Sequence, residues 1–248
     1  MAQTSGVAKA NLGALQTLTL GVLAGAFISF GAMFYTAVMS GNELGFGPGR
    51  LLGGVAFSLG LALVIIGGAE LFTGNNLLAI AWAERAVTTR QLLRNWGLVY
   101  AGNLIGAFAT AEFVHLSGIL DPPIMAQTAI SIAESKIALG VREAFARGLL
   151  CNTLVCLAVW LCFAARSVAG KILAIIPPIS AFVTLGFEHS IANMYFIPMG
   201  WLAGSQLITW SNFAANLFWV TLGNIVGGSV LVALVYWVVY RRPRERGQ

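Results

Sequence analysis

Two short polar segments interrupt otherwise apolar stretches, and they hold most of the residues that could do chemistry. The first is Glu70-Leu71-Phe72-Thr73-Gly74-Asn75-Asn76 and the second is Phe187-Glu188-His189-Ser190-Ile191-Ala192-Asn193. His189 is one of only two histidines, and histidine is the side chain that exchanges a proton near neutral pH. Thr73 is its expected counterpart at the first break. A hydroxyl there, beside N–H groups freed after Gly74, suits a negatively charged ligand. The chemistry on offer is to hold a small anion and share a proton with it. Thr73, Asn75 and Asn193 each suit either this pathway or the capping of a half-helix, with Asn193 assigned to the pathway and Gly74 and Asn75 to the structure of the break. Glu70 and Glu188 would repel an anion. They are expected to accept hydrogen bonds from freed backbone amides, or to be protonated, and so to pin the breaks. Cys151, Cys156 and Cys162 follow at spacings of five and six, which match neither a metal site nor a redox CxxC. They read as packing residues, and no metal or cofactor is expected.

The elements that must carry these residues are membrane helices. The 248 residues are 58% hydrophobic and 9% charged, with mean hydropathy +0.83, against roughly 25% charged residues in soluble domains. Apolar runs over 17–39, 51–82, 92–117, 144–165, 170–199 and 212–240 are long enough to cross a bilayer. Lipid forces each to be helical, because every backbone group must be paired internally. The second and fifth are too long for one plain crossing, and they contain the two polar breaks. The first is preceded by a near-neutral stretch and exceeds the length of a cleaved signal. One membrane domain accounts for the chain.

A second repeated motif fixes the organisation. Gly102-Asn103-Leu104-Ile105-Gly106 returns as Gly223-Asn224-Ile225-Val226-Gly227, with Asn95 and Asn216 seven residues upstream of each. The Gly-x-x-x-Gly spacing reads as close helix packing. Asn103 and Asn224 read as partners for the backbone groups that a broken helix frees. Three spans per half invert the second half, giving repeats over about 17–118 and 142–240. Paired broken helices in inverted repeats point to a transport pathway at the bilayer midplane.

Six crossings put both termini on one side. Assigned to the cytoplasm, that side holds Lys9, Arg85, Arg90, Arg94, Arg166, Lys171 and the basic tail Arg241–Arg246. The outer side holds Arg50, Lys136, Arg142 and Arg147, a bias that fits the positive-inside rule. The tail reads as an anchor at an anionic leaflet, so nucleic acid is not an expected partner. An enzyme is disfavoured, since the spans carry no metal cluster and no facing pair of heme-ligating histidines. A water or glycerol channel should show two Asn-Pro-Ala breaks and a filter Arg, which are missing from the sequence.

The segments Ala69-Glu-Leu-Phe-Thr-Gly-Asn75, Arg94-Asn-Trp-Gly-Leu-Val-Tyr100, Gly102-Asn-Leu-Ile-Gly106, Arg147-Gly-Leu-Leu-Cys-Asn152, Gly186-Phe-Glu-His-Ser-Ile-Ala-Asn-Met194 and Gly223-Asn-Ile-Val-Gly-Gly228 together resemble the formate/nitrite transporter family, in order and along almost the whole chain. The resemblance implies an all-α homopentamer of aquaporin-like protomers in a bacterial-type inner membrane. Each protomer would pass a small monovalent anion or its acid. It marks Thr73 and His189 as the central polar pair, with Lys136 and Asn152 in support. It assigns Phe57, Leu61 and Phe182 to a cytoplasmic constriction and Leu71, Phe72 and Ala192 to a periplasmic one. Asn75-Asn76 after Thr73-Gly74 is most similar to formate members, which favours formate over nitrite, hydrosulfide, acetate or lactate.

Overall fold

The computed structural model describes residues 2–240; the basic tail lies outside them, so its expected anchoring role has no structural counterpart here. Among the described residues the regular structure is helical, with no strand. In chain order the elements are α1 (Ala2–Ala10), α2 (Ala14–Met39), α3 (Phe46–Gly67), α4 (Phe72–Asn75), α5 (Leu78–Ala83), α6 (Thr89–Leu116) and α7 (Pro123–Ile137). They continue with α8 (Val141–Ala164), α9 (Val168–Thr184), α10 (Ser190–Leu202), α11 (Trp210–Ile225) and α12 (Val235–Tyr240), the last two joined by a π-helical stretch Val226–Leu234. By length and composition, α2, α3, α6, α8 and the continuous run Trp210–Tyr240 can each cross a membrane; α9, at 17 residues, is apolar but shorter.

Both polar segments fall where helices stop. α3 ends at Gly67, and Gly68 turns the chain into the left-handed region (φ 72), a conformation that glycine adopts without a Cβ penalty. The chain then runs without regular structure to Leu71, whose backbone is extended, before α4 starts at Phe72. The second break copies the first: α9 ends at Thr184, Gly186 has φ 70, and α10 starts at Ser190. The run expected over 51–82 therefore divides into α3, α4 and α5, and the run over 170–199 into α9 and α10.

Packing follows the small residues. α2 lies along α6 and α3, α8 along α11 and α9, and α3 along α9. A Cβ on Gly106 would run into the Val22 carbonyl, and one on Gly227 into the Leu149 carbonyl. The Gly-x-x-x-Gly motifs thus bring backbones together across α2–α6 and α8–α11, where dispersion rather than the hydrophobic effect holds helices in lipid. Two helices were not expected. α1 packs on α5 and α7 on α10. Pro123 opens α7 at its first turn, where a missing N–H costs nothing.

Candidate functional site

The two breaks are held by the same set of bonds. At the first, Asn103 Oδ1 accepts the Phe72 N–H at 2.9 Å, and its Nδ2 donates to the carbonyls of Gly21 (2.8 Å) and Glu70 (2.9 Å). At the second, Asn224 Oδ1 accepts the Ser190 N–H at 2.9 Å, and its Nδ2 donates to Gly148 (2.8 Å) and Glu188 (3.0 Å). Each asparagine satisfies the first free amide of a new helix.

The glutamates behave differently from expectation. Glu70 accepts from Lys9 Nζ at 2.7 Å and from Asn75 Nδ2 at 2.6 Å. Glu188 accepts from Lys136 Nζ at 3.1 Å and from Asn193 Nδ2 at 2.6 Å. Asn75 and Asn193 in turn donate to Asn95 and Asn216, whose own amides donate to the carbonyls of Lys9 and Lys136. The amides of Phe72 and Ser190 go to asparagine oxygens and those of Glu70 and Glu188 to backbone oxygens, because a buried carboxylate gains more from a cation. Lys9, counted from the sequence only as a surface charge, is the counterpart of Lys136, and α1 of α7.

This register also corrects the pairing of Thr73 with His189. Glu70 matches Glu188 and Asn75 matches Asn193, so the counterpart of His189 is Leu71 and that of Thr73 is Ile191. The two polar residues meet by contact instead. Thr73 Oγ1 lies 3.0 Å from His189 Nε2, in the buried interior. His189 also caps α10: the Ala192 N–H donates to its Nδ1 at 3.1 Å. A nitrogen that accepts cannot carry the ring proton. The neutral imidazole therefore holds it on Nε2 and donates to Thr73. The threonine hydroxyl proton has no other partner among the described residues, which leaves it free to donate to a bound oxyanion.

Two cavities approach this contact. One, of about 440 Å³, is lined by Arg50 from the first turns of α3 and Phe57 from its middle, Arg147 from α8, Lys136 from α7, and Phe182, His189, Ala192 and Phe196. The other, of about 250 Å³, is lined by Leu61 from the second half of α3, Val159 and Cys162 from the second half of α8, and Lys9, Glu70, Leu71 and Gly74. They open at opposite ends of α3 and α8. The constriction residues therefore regroup. Phe57, Phe182 and Ala192 lie on the Lys136 side, and Leu61 and Leu71 on the Lys9 side, which corrects the expected grouping. Phe57 and Leu61 are one turn apart, and that turn carries them past the centre of the molecule.

The larger cavity narrows on aromatic rings. Phe57 meets Phe182 edge-on with centroids 5.6 Å apart, and Phe182 stacks on the His189 imidazole at 6.0 Å. Phe196, not singled out from the sequence, stacks on Phe57 at 6.3 Å and carries Lys136 Nζ over its face. Phe72 lines neither cavity; its ring packs edge-on against Trp96 and Tyr100. Asn152 is fully buried behind Thr73, donating to the carbonyls of Thr73 (3.2 Å) and Asn224 (2.7 Å) and to Asn76 Oδ1. Cys156 adds a thiol contact to the same Thr73 carbonyl at 3.3 Å. Asn193 sits in the Glu188 cluster rather than on a cavity wall, with its Oδ1 unpartnered. Among the described residues, no His, Cys, Asp and Glu gather in a metal-binding group.

Comparison with known proteins finds relatives along the whole chain. The formate channel FocA of Escherichia coli (strain K12) is 40% identical, over 99% of this chain and 93% of its own length. A solved pentameric formate channel with formate bound superposes with a TM-score of 0.82 at 39% identity, covering 92% of this chain and 97% of its own. An ion channel of the same family reaches a TM-score of 0.90 at 30% identity, with 96% of each chain covered. The sequence profile described as formate/nitrite transporter matches residues 1–238, and the chain belongs to the formate/nitrite transporter family.

Proposed function

We propose that the protein passes small monovalent anions, formate foremost, through a pore in each protomer, with passage that responds to pH. The carrying observation is the buried Thr73–His189 contact between two cavities that open at opposite ends of the same helices. Relatives named as formate channels support formate as the substrate, and the pentameric neighbour supports a homopentamer. The matched bond sets at the two breaks support six spans in two inverted repeats, about 17–118 and 142–240. The charge count supports a larger cavity that faces outside and both termini in the cytoplasm.

The mechanism follows from desolvation. A bare carboxylate crossing the aromatic neck loses its water without gaining a partner, whereas the neutral acid loses far less. The anion is drawn in by the positive field of Lys136 and its neighbours. Thr73 donates its hydroxyl proton to orient the substrate. His189 is first protonated by water of the larger cavity, which breaks its Nδ1 contact with the Ala192 N–H. It then passes its Nε2 proton to the substrate, directly or through water, and returns to the neutral ring. Leu61 and Leu71 then form the dry neck on the other side. Stopped-flow measurement of formate and glycerol entry into proteoliposomes tests the assignment. Fast formate flux with glycerol at the empty-liposome rate is expected, and the reverse pattern would assign the chain to neutral-solute channels.

A further inference from the structure

On the rim of the larger cavity, Arg50 and Arg147 converge on Gly186 in the second break. A Cβ built there would lie 3.4 Å from Arg50 Nη1, 3.9 Å from Arg50 Nη2 and 4.0 Å from Arg147 Nη1. The hollow left by the missing side chain is therefore flanked by two guanidinium groups. Neither pairs with a carboxylate: the ion pairs among the described residues are Lys9–Glu70 and Lys136–Glu188. Arg50 Nη1 donates to the Thr184 carbonyl at 3.3 Å, and its guanidinium lies over the Phe46 ring at 4.5 Å, which fixes its plane. The remaining charged groups on this wall are Lys136 and Glu188. Both Glu188 oxygens are already engaged, by Lys136 and by Asn193.

Three cations thus face one carboxylate in a confined, partly desolvated space. Like charges held close repel unless an anion or solvent lies between them. A guanidinium is a planar fork matched to the two oxygens of a carboxylate. It also sits at the mouth, ahead of the Phe57–Phe182 neck.

We propose that Arg50 and Arg147 form an entry subsite about Gly186 that captures a small planar carboxylate before it reaches the neck. The proposal rests on the anion-channel reading and adds a capture step to it. Occupancy of this subsite sets flux at low substrate, so its loss raises the concentration needed for half-maximal flux.

Residue-resolved mass spectrometry of phenylglyoxal labelling tests it on the intact, detergent-solubilised oligomer. Sodium formate should slow modification of Arg50 and Arg147 several-fold relative to equimolar sodium chloride, while the exposed Arg142 reacts equally in both. Equal rates at Arg50 and Arg147 in the two salts would overturn the subsite. In proteoliposomes, Arg147→Gln should raise the half-saturating formate concentration about tenfold, the worth of one charge-assisted hydrogen bond, with partial recovery in Arg147→Lys. An unchanged half-saturating value in Arg147→Gln would also overturn it. The two readings fail separately. A parent that conducts formate without protecting these arginines removes the subsite alone, and a parent that protects them without conducting removes the channel reading.

Discussion

Replacing Asn224 by alanine removes one fully buried side chain and three hydrogen bonds, to the Ser190 N–H and to the carbonyls of Gly148 and Glu188. The amide carries most of the cost. Ser190 is the first residue of α10, so its N–H has no acceptor within the helix. Water cannot replace the lost oxygen where Asn224 is 0% exposed. An unsatisfied buried group costs about 1–3 kcal/mol, and each further side-chain bond in a membrane interior adds about 0.6 kcal/mol. The total is about 2–4 kcal/mol, which for a chain of this size lowers the melting temperature by about 5–15 °C. Asn103→Ala breaks the matching bonds to Phe72, Gly21 and Glu70 and should cost the same within a few degrees. Differential scanning fluorimetry of the purified oligomer in detergent measures both. A fall below about 2 °C in either variant, less than one unsatisfied group predicts, would refute the reasoning that these asparagines hold the breaks.

Phe57→Ala and Phe182→Ala each remove one ring of the edge-on pair and should raise lactate flux relative to formate; a parent-like ratio in both would place the neck elsewhere. Lys136→Met leaves Glu188 buried without its cation, which should destabilise the fold by about 3–5 kcal/mol; Lys136→Met with Glu188→Gln should recover more than half of the lost melting temperature, and no recovery would refute the pair's role. The Lys9→Met loss should be smaller, since the Lys9 side chain is 30% exposed against 12% for Lys136, and an equal or larger fall in melting temperature would contradict that ranking.

Much of this architecture was legible in residue patterns because lipid restricts the backbone so severely. The polar interruptions at 70–76 and 187–193 mark the places where α3 and α9 stop, and the repeated Gly-Asn motif carries the asparagines that bond there. The partners were not legible. Lys9 reaches Glu70 across 61 residues and Thr73 meets His189 across 116, contacts that only the assembled fold creates. Helical spacing misled where it was carried through a break. Continuous helical spacing would put Phe57, Leu61 and Thr73 on one face, but the left-handed turn at Gly68 ends that register. α1 and α7 escaped notice because, at 9 and 15 residues, they are too short to cross a membrane. The π-helical stretch Val226–Leu234 has no sequence signature beyond Gly227 and Gly228, where a Cβ on Gly228 would strike Cys156 Sγ and Asn76.

The central claim is that a small anion passes the Thr73–His189 contact and shares a proton there. The most direct test is the flux-versus-pH curve for formate in proteoliposomes holding the parent or His189→Asn, compared at equal oligomer content. The account predicts a changed shape in the variant, because the titratable partner of the substrate is gone. A His189→Asn protein that assembles as the parent does and keeps the parent's curve would contradict it.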